Sequence, residues 1–191
     1  MDRVYAMVPG EPVDVAAWMD SLKKGRTFAT NGPLLDFSVD GQQVGGELKF
    51  DGAQAAVPFH AKMRSIVPVD HLDVVCNGQV VQSLAFNAKR DAADVSGTMP
   101  LKESGWCLLR ASSDKPEYPV LDNYVYATTS PIYITVEGKK ARSQEDAKYF
   151  AAWIQRTIEI TGQYPDWNSA AEKEYVLGRL AEGKRVFEGL R

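Results

Sequence analysis

The chain has 191 residues, and its 45% apolar content is typical of a globular protein rather than of a disordered one. Its 22 Lys and Arg residues against 25 Asp and Glu residues give a net charge of −3, which argues against nucleic acid as a partner. Two histidines are too few for a multi-metal hydrolytic site, so no cofactor is expected in this chain. Because no apolar run approaches the roughly 20 residues that span a bilayer, no membrane partner is expected either.

The N-terminal sequence and the two cysteines bear on the compartment. The first ten residues, MDRVYAMVPG, lack the apolar run of a signal peptide and predict a cytoplasmic protein as written. A chain that is a piece of a longer protein would fit the periplasm or secretion instead. Cys76 and Cys107 are expected to be buried free thiols. A bridge between facing strands is geometrically conceivable, but a reducing compartment disfavours it.

The first predicted element is a short amphipathic helix from Pro12 to Lys24. Pro12 and Asp14 are residues that suit a helix start, and Gly25 suits the position just past the end. The apolar residues recur at helical spacing, as expected for one buried stripe: Val15, Trp18, Met19 and Leu22.

The region from about 26 to 138 predicts short strands separated by turns. Leu35 to Val39 alternates apolar and polar residues before an Asp-Gly turn, and Leu72 to Val81 contains Asn77-Gly78, the sequence of a tight hairpin turn. Two further strands are predicted within 105–111 and 124–136. Pro58 lies in another strand and favours an edge or a bulge there, because it cannot donate a ladder hydrogen bond. Strands without intervening helices predict antiparallel pairing in an Ig-like or jelly-roll-like β-sandwich.

The last region predicts two helices. Ser143 followed by acidic residues suits a helix start, Gly162 ends that helix, and a second helix runs from about Ser169 to Leu190. The fold class is therefore mainly β, with a short N-terminal helix and a C-terminal helical pair. We expect residues 1–138 to hold the helix and sandwich, and residues 139–191 to pack on the sandwich as part of one compact unit.

The segment from Gly25 to Pro33 is the first candidate ligand site. Arg26, Thr30 and Asn31 could offer a cation and polar groups to an anion, although no nucleotide-binding glycine motif is present. The simpler interpretation, which composition favours, is that Asn31-Gly32-Pro33 forms a turn after a strand.

Asp70, His71 and Asp73 are the second candidate site. One imidazole and two carboxylates could hold a divalent ion or pair a general base with an orienting acid, but acidic turns before strands are common without function. Arg110 interrupts an apolar strand, and, if it is buried, it needs a carboxylate partner. The candidates for that partner are Asp122 and Glu117.

Aromatic residues in the strand region could form a platform for a sugar. They are equally expected from packing, because strands are enriched in aromatic residues. The residues concerned are Trp106, Tyr118, Tyr124, Tyr126 and Tyr133.

Several stretches together resemble the C-terminal region of PHP-superfamily metal-dependent hydrolases of the CehA/McbA (carbaryl hydrolase) type. The resemblance runs over nearly the whole chain, and the segments Gly25 to Leu35 and Thr129 to Tyr133 are its most specific parts. The matching stretches are Arg3-Val4-Tyr5, Trp18, Gly25 to Leu35, Val39-Asp40-Gly41, Val75 to Gly78, Gly105-Trp106 through Arg110, and Thr129-Ser130-Pro131-Ile132-Tyr133.

In that family an N-terminal barrel rich in His and Asp binds the catalytic metals, and the matching region follows it as a β-sandwich that ends in helices. The resemblance therefore implies a non-catalytic accessory domain, with divalent metal only in the barrel. Thr129 and Ser130 join the candidate ligand-binding or barrel-facing residues. Thr128 stands where family members tend to carry a His just before Thr-Ser-Pro.

Three functional hypotheses follow, in order of preference. The chain docks through its Arg26 to Pro33 edge against a hydrolase barrel supplied in trans, or uses the exposed barrel-facing surface for self-association. As an alternative, it is a free-standing sandwich that binds carbohydrate or another small ligand. The third hypothesis is a weak metallohydrolase that uses Asp70, His71 and Asp73.

Overall fold

A computed structural model describes residues 2–11, 14–120 and 124–190. The chain divides into two compact units, residues 1–141 and residues 142–191, close to the predicted boundary after residue 138. The first unit contains one helix and all the named strands, and the second contains two helices. That the helical unit packs on the sandwich stays a prediction.

The larger sheet has eight strands, and its strands pair antiparallel except for one parallel pair, β5 with β12. β10 lies at its centre, with β7 and then β8 on one side, and β11 and β12 on the other. The eight strands are β1 (Arg3–Ala6), β2 (Thr27–Thr30), β5 (Glu47–Phe50), β7 (His71–Cys76), β8 (Gln79–Ser83), β10 (Gly105–Ser112), β11 (Tyr126–Thr129) and β12 (Ile132–Val136).

The smaller sheet has four strands, paired antiparallel in the order β4, β3, β6, β9. Apolar residues of both sheets form one buried cluster, so the unit is a β-sandwich, as the sequence predicts. Phe37, Phe59 and Met63 come from the smaller sheet, and Leu109 and Ile132 from the larger. The four strands are β3 (Leu34–Val39), β4 (Gln42–Gln43), β6 (Gln54–Arg64) and β9 (Ala92–Leu101).

Both predicted hairpin turns are confirmed. Asp40 and Gly41 have φ values of 48° and 75° between β3 and β4, and Asn77 and Gly78 have 50° and 81° between β7 and β8. Two consecutive positive φ values are those of the type I′ turn, which matches the twist of the flanking strands.

Of the edge or bulge predicted from Pro58, the edge is wrong, because β6 lies between β3 and β9. The register of β6 against β9 does shift between Gln54 and Val57, just before Pro58, as a bulge would make it. The Pro58 carbonyl accepts a hydrogen bond from the Asp40 amide, so it faces β3. The nitrogen and the carbonyl of one strand residue face the same neighbour, so the Pro58 nitrogen also faces β3, which ends at Val39. The missing N–H therefore costs no ladder hydrogen bond, and the interior position is tolerated.

The first helix, α1 (Val15–Lys23), begins at Asp14, whose side chain accepts a hydrogen bond from the Ala17 amide at 2.7 Å. Gly25 follows its end with a φ of 66°, as predicted. The predicted start at Pro12 lies outside the described residues. Of the predicted stripe, Val15, Met19 and Leu22 are 78%, 40% and 36% exposed, whereas Trp18 is half-buried. Ser21 is the buried residue of this helix.

The two C-terminal helices are confirmed close to their predicted bounds. α2 (Gln144–Gly162) and α3 (Ala170–Glu188) begin after Ser143 and Ser169, whose hydroxyl oxygens accept hydrogen bonds from the third helical amide. The helices contact each other, with Phe150 stacked on Phe187 at a centroid distance of 5.2 Å. They therefore form an antiparallel helical hairpin.

Candidate functional site

A cleft of about 350 Å³ lies beside the start of β2, where the chain has just left α1. The turn from β4 to β5 forms its other wall. Arg26, one of the predicted site residues, lines this cleft together with Met7, Pro9, Lys24 and residues 41–46.

Glycine makes the close approach of these two walls possible. Gly45 has a φ of 80°, and a Cβ atom added to it would lie 2.1 Å from the Lys24 carbonyl oxygen. Gly25, at a φ of 66°, lies directly against Gly45. A side chain at residue 45 would push the walls apart, so the shape of the cleft depends on this glycine.

A third segment meets the two walls of the cleft, at a place that we call the junction. Here Ser130 lies close to the start of β2. β11 and β12 lie along the same side of β10 and are interrupted at Ser130-Pro131. At this break the Ser130 hydroxyl and the Thr27 hydroxyl are 2.7 Å apart, and the Pro131 carbonyl accepts a hydrogen bond from the Gly45 amide. Arg26 and Ser130, predicted from separate stretches of sequence, therefore lie at one junction of the fold.

The electrostatic character of the cleft is cationic. Lys24 donates a hydrogen bond of 2.7 Å to the Asp20 carboxylate, and this hydrogen bond holds the pKa of Asp20 below its ordinary value. Arg26 adds a second cation, and the Gln43 Oε1 atom is buried without a hydrogen-bond donor. The lining residues, all within the described part of the chain, include no nucleophile with an adjacent base.

Thr30 and Asn31, predicted as ligand-binding residues, hold the chain in its turn. The Thr30 hydroxyl donates to the Pro33 carbonyl at 2.6 Å and accepts from the Gly32 amide. The Asn31 side chain donates to the Tyr124 carbonyl and accepts from the Tyr126 amide. These contacts agree with the simpler interpretation, a turn that follows strand β2.

Thr129 is buried, and its hydroxyl oxygen accepts a hydrogen bond of 3.0 Å from the Leu109 amide. This contact lies next to the interruption between β11 and β12, where β10 would otherwise leave an amide without an acceptor. The hydroxyl of Thr129 thus replaces a backbone acceptor in the interior of the sandwich.

Arg110 pairs with Asp73, which the sequence did not indicate, and of its two predicted partners Glu117 is not the observed one. Arg110 Nη2 donates to Asp73 Oδ2 at 3.1 Å, and the Ser83 hydroxyl donates to Asp73 Oδ1 at 2.8 Å. The two residues face each other in the register of β7 and β10. Glu117 pairs with Lys115 instead, and Asp122 lies outside the described residues.

Asp70 and His71 both contact Asp114, whereas Asp73 pairs with Arg110. Asp70 accepts a hydrogen bond from the Asp114 amide and pairs with Arg90 at 2.8 Å; the amide hydrogen bond and the guanidinium lower the pKa of Asp70. His71 pairs with the Asp114 carboxylate at 3.1 Å. The described residues contain no group of three or more His, Cys, Asp or Glu side chains placed to hold a metal ion.

Cys76 and Cys107 form a disulfide, which corrects the prediction of free thiols. They are direct partners in the register of β7 and β10, with their Cα atoms 4.1 Å apart. Facing residues of antiparallel strands come this close only in non-hydrogen-bonded pairs, which is why the register brings the two sulfur atoms into bonding reach. Spacing along the chain does not reveal that register.

The predicted aromatic platform is divided between two places. Trp106 and Tyr133 face each other on β10 and β12, whereas Tyr124 and Tyr126 pack edge to face at a centroid distance of 6.1 Å near the other end of β10. The two pairs are about 20 Å apart along the strand, too far for one sugar ring to contact both. Tyr118 is 85% exposed.

The chain matches no protein-family model, no curated protein and no solved structure. Among the helices of the described residues, none combines the length and apolar character needed to cross a membrane.

Two surface features could not be anticipated from the sequence pattern. The α1 stripe, formed by Val15, Met19 and Leu22, is exposed although its spacing is that of a buried face. The cleft beside Arg26 depends on Gly45, which approaches Gly25 only in the folded chain. A run of two glycines at 45–46 after a predicted turn is the one signal in the sequence that points to a close backbone approach.

Proposed function

We propose that this chain is a non-catalytic accessory domain that docks, through the α1 stripe and the cleft beside Arg26, onto the catalytic barrel of a PHP-type metal-dependent hydrolase. The exposed α1 stripe is the observation that carries the proposal. An amphipathic helix normally buries its apolar residues, but this helix leaves Val15, Met19 and Leu22 exposed and only half-buries Trp18. Its buried residue is Ser21, whose hydroxyl donates to the Met7 carbonyl at 2.6 Å.

The cleft beside the helix supports the same surface. Met7 is 47% exposed and lines the cleft with Lys24 and Arg26, so apolar and cationic groups lie together at the start of the domain. An interface of this composition, with an apolar centre and charged groups around it, suits a contact between protein domains. The resemblance implies a barrel rich in acidic metal ligands as the partner.

The test is to search the coding sequence immediately upstream of this chain, or in frame with it, for a PHP-type barrel and to co-purify that barrel with the chain. We expect a stable complex, and we expect the double variant Met19→Glu/Leu22→Glu to weaken it by at least about tenfold, because both changes place a charge on a surface that must be desolvated. Binding is measured by calorimetry with the purified barrel.

The matched control is Ile66→Glu, which adds the same charge at an apolar residue that is 74% exposed in the connection between β6 and β7. It should leave the affinity unchanged. If no barrel is encoded nearby and the chain binds none, the proposal is wrong. The proposal is also wrong if the wild-type chain sediments as a dimer and the double variant sediments as a monomer. In that case the stripe is a self-association surface and the barrel is not its partner.

A second candidate function is small-ligand binding by the sandwich, and one observation favours it. A cavity of about 540 Å³ lies beside β6 and β9, where Phe86 and Val95 provide an apolar wall and Arg64 provides a cation. Lys62 and Asp94 also line it and pair with each other at 3.5 Å. This chemistry suits an aryl carboxylate. A rise in melting temperature with benzoate that is lost in Arg64→Ala would support this function, and no rise would exclude it.

A further inference from the structure

We infer that the helical unit carries a saccharide-binding site at the bend between α2 and α3. A cavity of about 470 Å³ lies there, within the usual size range for small-molecule sites. Its lining comes from residues 160–172 alone, so the site belongs to the helical hairpin itself. The side chains that carry the inference are Tyr164, Asp166, Trp167 and Glu172.

An unpaired donor is the most specific feature of this cavity. The Nε1 atom of Trp167 is buried and has no hydrogen-bond partner. The indole N–H only donates, and a buried donor without an acceptor costs free energy, so it favours a ligand that brings an oxygen atom to it. A ligand that is only a cation cannot satisfy this group.

The aromatic side chains provide an apolar wall beside that donor. The rings of Tyr164 and Trp167 are perpendicular, at an interplanar angle of 89° and a centroid distance of 5.8 Å. Tyr164 is 54% exposed, so its ring has a free surface. The C–H groups on one side of a sugar ring bury apolar area against such a surface, while its hydroxyls remain free to form hydrogen bonds.

Two of the remaining lining side chains are carboxylates, which accept hydrogen bonds and carry negative charge. Asn168 donates to the Glu172 carboxylate through its backbone amide at 2.9 Å and through its side-chain Nδ2 atom at 2.9 and 3.1 Å, which fixes the position of that carboxylate. Asp166 adds a second carboxylate, and the lining includes no cation. Two carboxylates disfavour an anion and accept hydrogen bonds from hydroxyls.

A neutral, hydroxyl-rich ring is the ligand class that uses all three features together. Its hydroxyl oxygen accepts from the Trp167 indole, other hydroxyls donate to Asp166 and Glu172, and its C–H face lies on the Tyr164 ring. This site is separate from the docking surface proposed above, so failure of one inference leaves the other standing.

The test follows the indole N–H resonance of Trp167 by NMR while glucose, N-acetylglucosamine and their linear oligomers are added to the full chain. We expect a saturable shift with at least one sugar. A response to the single sugar identifies a free monosaccharide as the ligand, and a response confined to the oligomers identifies a glycan chain. The absence of any shift up to the millimolar range overturns the inference.

Two variants and one competing ligand make the test specific. Trp167→Phe keeps an aromatic ring but removes the donor, and with it the resonance followed above, so sugar binding by the variants is measured by isothermal titration calorimetry. Trp167→Phe should weaken binding by about fivefold to tenfold. Asp166→Ala, at an exposed position, should also weaken binding without disturbing the fold, as checked by circular dichroism. Trp153→Phe, on the exposed part of α2, is the matched control and should bind normally. A shift with tetramethylammonium and none with sugars would mean a cation site and would overturn the inference.

Discussion

At the scale of single residues, Asp73 is a carboxylate placed inside the strand region of a sandwich. Only 6% of the residue is exposed, and its charge is balanced by Arg110 and by the Ser83 hydroxyl. Arg110 is only partly satisfied in return, because its Nε atom is buried without a partner. Removal of the carboxylate would leave a half-buried cation with no compensating charge.

We therefore expect Asp73→Ala to lower the free energy of unfolding by about 2–4 kcal/mol in urea denaturation. The control is Glu182→Ala on α3, where an exposed pair with Arg179 at 2.7 Å should contribute less than about 1 kcal/mol. A double variant, Asp73→Ala/Arg110→Ala, should be less destabilised than the sum of the single variants, because it leaves no unpaired charge. Additive effects would contradict the pairing.

The need of Arg110 for a carboxylate could be predicted from the sequence, whereas its partner could not. An arginine in an apolar strand requires a counter-charge wherever the strand is buried. The identity of that partner depends on the strand that faces β10 and on its register, and Asp73 is 37 residues away in the chain. Glu117 is nearer in sequence but pairs with Lys115.

At the scale of elements, the disulfide connects β7 and β10, two neighbouring strands of the larger sheet. It closes a loop of 31 residues, for which the loss of chain entropy in the unfolded state corresponds to about 3–4 kcal/mol. The expected effect of Cys76→Ser/Cys107→Ser is a loss of about 2–4 kcal/mol in unfolding free energy. Mass measurement of the non-reduced protein after thiol alkylation verifies the bridge.

Reduction of the wild-type protein is the internal control for that prediction. A reducing agent should lower the melting temperature of the wild type and leave that of the double serine variant unchanged. An equal response of both proteins, or quantitative alkylation of Cys76 without reduction, would contradict the bridge between the strands.

Gly45 offers a second prediction at this scale. Gly45→Ala should destabilise the fold by at least about 2 kcal/mol, because it combines a positive φ with a clash against the Lys24 carbonyl. Gly41→Ala is the matched comparison, since Gly41 has a φ of 75° but no atom within 4 Å of an added Cβ. It should show only the smaller conformational cost, about 1 kcal/mol. Equal effects in chemical denaturation would mean that the approach to Lys24 is not tight.

Elements with a local chemical signal were predictable, and elements that depend on long-range pairing were less so. The hairpins at Asp40-Gly41 and Asn77-Gly78, and the helices that begin after Ser143 and Ser169, follow from turn and capping residues. β9 contains Gly97 and Pro100, which disfavour a strand in the sequence pattern, and it pairs along its length with β6. The position of Ser130 near Arg26, next to the Thr27 hydroxyl, likewise depends on the interruption between β11 and β12.

At the scale of the whole molecule, the two units differ in how they bury apolar residues. The buried apolar cluster draws its members from Leu35 to Val136, entirely within residues 1–141. Within α2 and α3, by contrast, only Ala147 and Ala151 are buried among the described residues. The sandwich therefore contains the elements of an independent fold, and the helical hairpin does not.

This difference predicts the behaviour of a chain that ends at Ala141. We expect it to unfold cooperatively, with a melting temperature within about 5 °C of the full chain, because a loss of 1–2 kcal/mol corresponds to a shift of that size. Residues 142–191 alone should show far less helix by circular dichroism than they contribute in the full chain. A shortened chain that lacks a cooperative transition would contradict the prediction and would mean that the sandwich depends on the helical unit, as expected if the two form one compact unit.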